Sequence, residues 1–226
     1  MLQTMKSIWR TVVPETIRSS DAVTRFKTRF LPHNWIYDQE YYQTEVDTAA
    51  LESAPAMVAS LIEVFAPRKV VDVGCGTGAL AVKMMGQGVE VHGLEYADSA
   101  IAMCRDRGVA VRKFDIETSG GAPEDLRDAD LVVSFEVAEH LPEEIADKYV
   151  ALLTSMAPNV LISAAPPGQG GTDHVNEQPK EYWVAKFREN GFDIDEVMTT
   201  RIQQAFEQSG SVVIFYWKNT LVFSRA

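Results

Sequence analysis

The sequence predicts an α/β fold, a doubly wound and mostly parallel sheet covered by helices on both faces. Three observations carry that expectation. Short apolar runs alternate with longer amphipathic stretches through most of the 226 residues, the pattern of parallel strands joined by crossover helices. The first run, Val70-Val71-Asp72-Val73, enters Gly74-Cys75-Gly76-Thr77-Gly78 and then a helix-like segment, Leu80–Met85. Successive runs also end in acids: Glu95 after Val89–Leu94, Asp115 after Val109–Phe114, and Glu136 after Leu131–Phe135. Acids at strand ends build a hydrogen-bonding rim at the carboxyl edge of such a sheet, where its ligands bind.

Taken in order, residues 5–30 read as one or two helices broken near Pro14, and residues 47–65 as a helix leading into the first strand. Strands are expected at 69–74, 89–95, 109–114, 129–135 and 159–164, with helices at 78–86, 97–107 and 142–156. Pro142 suits the first turn of the last of these, and Glu143 and Glu144 complement its dipole. A helix over 179–190 stops at Asn190-Gly191, a C-terminal signal. Phe192–Met198 and Val212–Phe223 read as closing strands with an antiparallel finish, completing a seven-stranded, Rossmann-like sheet. The expected organisation is a single domain over 1–226, with an N-terminal helical lid at 1–46 and the core at 47–226.

The turn after the first strand has no Cβ atoms in a ligand's way. Its glycines let backbone N–H groups approach a small anionic group, and the helix N-terminus adds a favourable dipole. Glu95 lies 21 residues beyond Gly74, where nucleotide-binding folds place a carboxylate that grips ribose hydroxyls. A glycine cluster alone is a tight turn; with these neighbours it reads as the seat of an adenosine-containing cofactor. The spacing is Gly-x-Gly-x-Gly, not the Gly-x-Gly-x-x-Gly of dinucleotide folds. Asp72, inside the first strand, is costly there unless it is hydrogen-bonded to the turn beyond it.

Over about residues 47–195 the chain resembles the class I S-adenosylmethionine-dependent methyltransferases. The resemblance rests on VVDVGCGTGALA, on Glu95 in HGLEYAD, on Asp115 in KFDIE and on DLVVSFEVAEHLP. It extends more loosely to small-molecule O-methyltransferases of the ubiquinone-biosynthesis type, which share the Glu-x-x-Glu-His pattern seen as Glu136, Glu139 and His140. It implies S-adenosylmethionine as cofactor, with Gly74, Gly76 and Gly78 against its methionine part and Cys75 in the same turn. Glu95 would bind the ribose, Asp115 the adenine amino group, and Asp72 would orient the turn. Tyr96, Ile116 and Glu136 complete the expected cofactor set.

Methyl transfer from a sulfonium is a direct displacement in which the cofactor brings the activated carbon. The protein must align nucleophile, methyl and sulfur, and can remove a proton from a hydroxyl or ammonium acceptor. His174 and His140 are the two candidate bases. His174 lies in a long irregular loop after the fifth strand, residues 164–179, which is rich in Pro and Gly; loops on that edge commonly carry function. The resemblance supports His174, while a role in tying the loop down is the plainer alternative. Asn176 in the same loop, Tyr37 and Tyr41 in the lid-like Trp35–Tyr42 stretch, and Tyr182 are the expected substrate contacts. Glu136, Glu139 and His140 could together hold magnesium or manganese, but a capped strand end explains them as well, and no metal is expected. His92 reads as a packing or edge residue and His33 as a cap on the lid.

Composition limits the acceptor. The net charge of −11 would repel a polyanion, so nucleic acid is disfavoured. Residues 1–35 carry six basic side chains against Glu15 and Asp21, a balance of +4. Such a basic amphipathic stretch can touch anionic lipid or, in the favoured reading, close over its own acidic domain. Two cysteines, Cys75 and Cys104, have no metal spacing; no disulfide is expected, and a cytoplasmic setting is. No apolar run approaches the ~20 residues that cross a membrane. The resulting expectation is methyl transfer to oxygen or nitrogen of a small molecule. Its rivals are an enzyme using the cofactor's aminocarboxypropyl arm and a non-catalytic scaffold on the same fold.

Overall fold

The computed structural model describes Tyr37 and residues 39–226. The expected helices at 5–30, His33, the basic stretch 1–35 and most of the lid therefore lie outside the described residues. A helical turn, Gln39–Tyr41, and a π-helical turn, Tyr42–Val46, lead into α1, Asp47–Phe65. Then follow β1 (Lys69–Val73), α2 (Ala79–Met85), β2 (Glu90–Glu95), α3 (Asp98–Asp106), β3 (Ala110–Lys113), β4 (Leu131–Phe135), α4 (Ala146–Thr154) and β5 (Asn159–Ser163). The chain finishes with α5 (Lys180–Glu189), β6 (Phe192–Ile194), α6 (Glu196–Ser209), α7 (Ile214–Lys218) and β7 (Thr220–Arg225).

The seven strands form one sheet in the order β3-β2-β1-β4-β5-β7-β6. β7 runs antiparallel to both of its neighbours, and the pairings from β3 across to β5 are parallel. Alternation along each strand feeds two cores. Val71, Val132 and Leu221 face one layer with Tyr149, Trp183 and Phe187; Val70, Val133 and Val222 face the other with Leu61, Met84 and Phe206. Central strands buried on both faces read as continuous apolar runs rather than alternating ones. On the first face the Phe187 and Phe223 rings stack at 3.8 Å.

α1 is 19 residues long and apolar enough to cross a membrane by length and composition, contrary to the sequence reading. One face of it packs in the core: Met57, Val58 and Leu61 are buried against the sheet layer they share with α2 and α6. It ends at Ala66, which takes φ +42° just before Pro67; the proline disfavours a further α-helical residue there. At its start, Asp47 accepts two hydrogen bonds from Arg107, each 2.8 Å.

The C-terminal third departs from expectation. Phe192–Met198 is a strand only to Ile194, and a 14-residue helix follows. Asp195 caps it by accepting a hydrogen bond from the Met198 N–H at 2.8 Å, and Thr199, Ile202 and Phe206 place a buried stripe at helical spacing. The expected strand over Val212–Phe223 is a short helix, α7, before β7. Pro142 does not start a helix directly; it precedes a 3-10 turn, Glu143–Ile145, which leads into α4.

Candidate functional site

A cavity of about 820 Å³ opens at the carboxyl edge of the sheet, bounded by the ends of β1, β2 and β4, by the loop 166–174 and by α7. It adjoins a small annex of about 80 Å³ lined by Asp72 and Cys75 as well as Gly74 and Gly76.

The glycine turn forms the floor, and it is held by β2. Gly74 donates its N–H to the Leu94 carbonyl at 2.8 Å, and Gly76 donates to Glu95 Oε2 at 2.8 Å. Glu95 Oε1 accepts from the N–H groups of Tyr96 and Ala97, both 2.8 Å. Gly74 has φ +73°, and a Cβ built there would lie 2.4 Å from Val137 Cγ2, so no larger residue fits. Gly78, with φ +76°, starts α2 and sits against Cys104. It does not line the cavity.

The charge of this floor is unusual. Burial, followed by the nearby charge of Glu95, pushes the Asp72 carboxyl up to about 7. Among the described residues no hydrogen bond ties Asp72 to the turn, so the bond expected from its position in the strand does not form. Burial also raises Glu95, opposed by its three N–H donors. Both acids therefore sit poised for a cationic ligand that would restore the ionised forms.

Of the other expected cofactor residues, Tyr96, Asp115, Ile116 and Glu136 line the cavity. The Asp115 carboxylate is engaged locally, accepting from the Glu117 N–H at 2.9 Å and from Thr118 Oγ1 at 2.7 Å. Glu136 takes φ +51°, a backbone state that is costly for this residue type and tends to mark functional sites. Its carboxylate accepts from Gln169 Nε2 at 3.1 Å and from Asn219 Nδ2 at 3.3 Å. Gln169 and Asn219 were not anticipated. Gln169 lay in the loop singled out by its composition, whereas nothing local to Asn219 marks it.

Opposite the glycine turn, Tyr37 and Tyr41 line the cavity, with their rings edge to face at 5.3 Å. The Tyr37 hydroxyl lies 3.4 Å from His140 Nδ1. His140 and His174 meet edge to face at 5.0 Å. Burial and the adjacent His174 lower the His140 pKa to about 4, so its imidazole is neutral at pH 7. His174 Nδ1 lies 2.8 Å from Glu177 Oε1. Glu177 also accepts from the N–H groups of Gly168 and Gly170, at 2.8 and 2.7 Å, so one carboxylate folds the loop and orients the imidazole.

Two expected substrate contacts stand elsewhere. Asn176 is buried beneath the loop, where its N–H donates to the Glu139 carbonyl at 3.0 Å and its Oδ1 accepts from Gln178; it ties the loop down. Tyr182 begins α5 on a sheet face, edge to face with Trp183 and 5.3 Å from Lys186 Nζ. Helix α5 covers the core, which carries Tyr182 away from the cavity. The acid–histidine grouping also differs from the one considered in the sequence. A carboxylate oxygen of Glu139 and a ring nitrogen each of His140 and His174 lie within 4.8 Å of one another, while Glu136 is drawn off by Gln169 and Asn219.

Residues 70–157 match the family model described as a methyltransferase domain. Among curated proteins, the chain is 31% identical over 124 residues to a ubiquinone biosynthesis O-methyltransferase of Pseudomonas aeruginosa, covering 53% of this chain and 50% of that one. It is 29% identical to the protein of the same name from Pseudomonas fluorescens, with the same coverage. The chain thus spans about half the length of the curated relatives it matches. Magnesium protoporphyrin IX methyltransferase from Synechocystis, solved with bound S-adenosylmethionine, superposes with a TM-score of 0.58 at 18% identity, over 92% of this chain and 98% of that one. The plantazolicin methyltransferase BpumL, in complex with a triazolic desmethylPZN analog and S-adenosylhomocysteine, gives 0.62 at 12% identity, over 95% and 100%. At these identities the likeness speaks for the fold.

Proposed function

We propose that the chain, which matches a methyltransferase domain over residues 70–157 on a seven-stranded sheet of class I topology, transfers a methyl group from S-adenosylmethionine to a small molecule. The observation that carries the proposal is the glycine turn pinned to the Glu95 carboxylate at the cavity floor. The turn's Gly74 and Gly76 N–H groups are spent on Leu94 and Glu95, so it is the paired acids, Asp72 and Glu95, that suit the cofactor's ribose hydroxyls and its cationic groups. S-adenosylmethionine supplies the activated methyl carbon when bound. The turn, Glu95 and Asp115 hold it from one side, and the acceptor occupies the side walled by Tyr37, Phe215 and Tyr216.

The acceptor nucleophile is an oxygen or nitrogen. Its proton leaves to an imidazole in this reading, and His174 is favoured because Glu177 orients it as a base is oriented in acid–base sites. His140 stands beside it, neutral at pH 7. The lining bears Glu95, Asp115, Glu117 and Glu136 against Lys218, so a neutral or cationic acceptor fits better than an anionic one. A cytoplasmic setting belongs to the same proposal and is supported by the free thiols of Cys75 and Cys104.

Calorimetric titration with S-adenosylmethionine and S-adenosylhomocysteine, followed by an acceptor screen read by product mass, tests the proposal. Micromolar binding of both and acceptor-dependent formation of S-adenosylhomocysteine are expected. Release of methylthioadenosine without an acceptor would instead assign the aminocarboxypropyl chemistry. Absence of binding by folded protein would leave a scaffold.

A further inference from the structure

Helix α3 is tied at both ends to the segment that leads into α1. Near its start, Ser99 Oγ donates to the Tyr37 carbonyl at 2.6 Å. Just past its end, the Arg107 guanidinium donates from Nη1 and Nη2 to the two carboxylate oxygens of Asp47, each at 2.8 Å. Between these ties Tyr42 is buried against Ala97 and Ala100, with Val46 and Met103 packed beside it. This small cluster stands apart from the two main cores, so few apolar contacts hold it and the polar ties at its ends matter more.

The Arg107–Asp47 pair also reaches the glycine turn. Arg107 Nη1 donates to the Thr77 carbonyl at 2.8 Å, and Thr77 lies between Gly76 and Gly78. One guanidinium thus joins the start of α1, the end of α3 and the turn, with the Arg107 and Asp47 side chains only 24% and 17% exposed. A rigid, planar fork of donors can make all three bonds at once, which the single ammonium of a lysine cannot do in the same geometry. The residues just before Asp47 form the π-helical turn Tyr42–Val46, a form that recurs at functional sites. That turn faces Gly76: a Cβ there would lie 3.8 Å from Val46 Cγ1 and 3.9 Å from Tyr42 Cε1. Tyr42 and Val46 both line the cavity. Burial raises Glu95, and the Tyr42 hydroxyl is among the donors that oppose it.

We propose that Arg107 is a positioning residue for the cofactor: by tying Asp47 to the Thr77 carbonyl it holds the Tyr42–Val46 turn against the glycine turn, and Tyr42 and Val46 wall S-adenosylmethionine in. Arg107 does not itself line the cavity, so it acts through those two side chains. Loosening a wall shows mainly in the rate at which a bound molecule leaves. The inference rests on the cofactor assignment and not on the acceptor, since it concerns retention of the cofactor whichever of its bonds is later broken.

The test is surface plasmon resonance of S-adenosylhomocysteine on immobilised full-length protein, with circular dichroism to establish that each variant is folded. Arg107→Ala should raise the dissociation rate about 10-fold, near the lower end of what losing a charge-assisted hydrogen bond gives, with association little changed. Arg107→Lys, which keeps the charge and loses the fork, should show most of that effect. Arg112→Ala, whose guanidinium pairs with Asp125 away from the cavity lining, should match the wild type. Tyr42→Ala should itself speed dissociation, and adding Arg107→Ala to it should cost little more, because the wall that Arg107 holds is already gone. If Arg107→Ala does not fold, Arg107→Lys and Asp47→Asn carry the result. Wild-type dissociation in the folded Arg107 variants, or a full further 10-fold loss in the Tyr42→Ala background, would overturn the proposal. Wild-type protein that binds neither S-adenosylhomocysteine nor S-adenosylmethionine would overturn the cofactor seat and this inference with it, an outcome distinct from a wild type that binds and variants that bind alike.

Discussion

The backbone N–H of Gly76 donates to Glu95 Oε2 across the 19 residues that separate β1's turn from the end of β2. One carboxylate therefore shapes the cofactor floor and presents its remaining lone pairs to the cavity. Glu95→Ala removes the acceptor for three N–H groups and is expected to weaken S-adenosylmethionine binding by about 100-fold, with Glu95→Gln intermediate, as losing charge-assisted bonds would. Isothermal calorimetry reads both, and unchanged affinity in the alanine variant would refute the floor as the cofactor seat.

The sulfur of Cys75 fills the space that Gly93 leaves open. A Cβ at Gly93 would lie 2.6 Å from Cys75 Sγ, a collision inside the packed core. Gly93→Ala is expected to destabilise the fold by about 1–3 kcal/mol, and adding Cys75→Ala should recover much of that loss. A denaturant-based double-mutant cycle measures the coupling; additive effects would mean the clash is relieved elsewhere.

Asp72 predicts a pH dependence of stability. Its carboxyl titrates at about 7 in the folded chain against an ordinary value of 3.8. The folded state thus holds the proton more tightly, and this contribution is fully present below pH 3.8 and is lost as pH rises through 7. The full shift corresponds to about 4 kcal/mol as an upper bound. Melting temperature without cofactor should fall between pH 5 and 8, and Asp72→Asn should flatten that slope. Binding a sulfonium cation favours the ionised form, so cofactor binding near pH 6.5 should release a proton, seen as a buffer-dependent binding enthalpy.

Glu177 accepts from Gly168, Gly170 and His174 together. Glu177→Ala should leave cofactor affinity within about 2-fold, since none of these bonds reaches the glycine turn, while lowering turnover about 10²–10⁴-fold, the range for loss of a positioned base. Equal turnover in the variant would remove His174 from the chemistry.

How much of this was legible differs by element. The β1 turn, α2 and the acids ending β2 and β4 were readable because glycine spacing and apolar runs are local signals. The helix α6 carried its own signals, an Asp cap and apolar residues at 199, 202 and 206, but the strand-like reading of Phe192–Met198 obscured them. Tyr182 looked like pocket material because aromatic spacing gives no direction; the packing of α5 decides that its ring meets Trp183.

The sequence by itself determined the α/β class, the glycine turn and the row of acids at the sheet's edge, because each depends on residues close along the chain. Only the tertiary structure decided what those acids touch. Glu136 meets Asn219, 83 residues away, and His174 meets His140 because the sheet order sets the loop after β5 beside the turn after β4. Contacts of that kind follow from strand order and loop packing, and neighbouring residues along the chain carry no record of them.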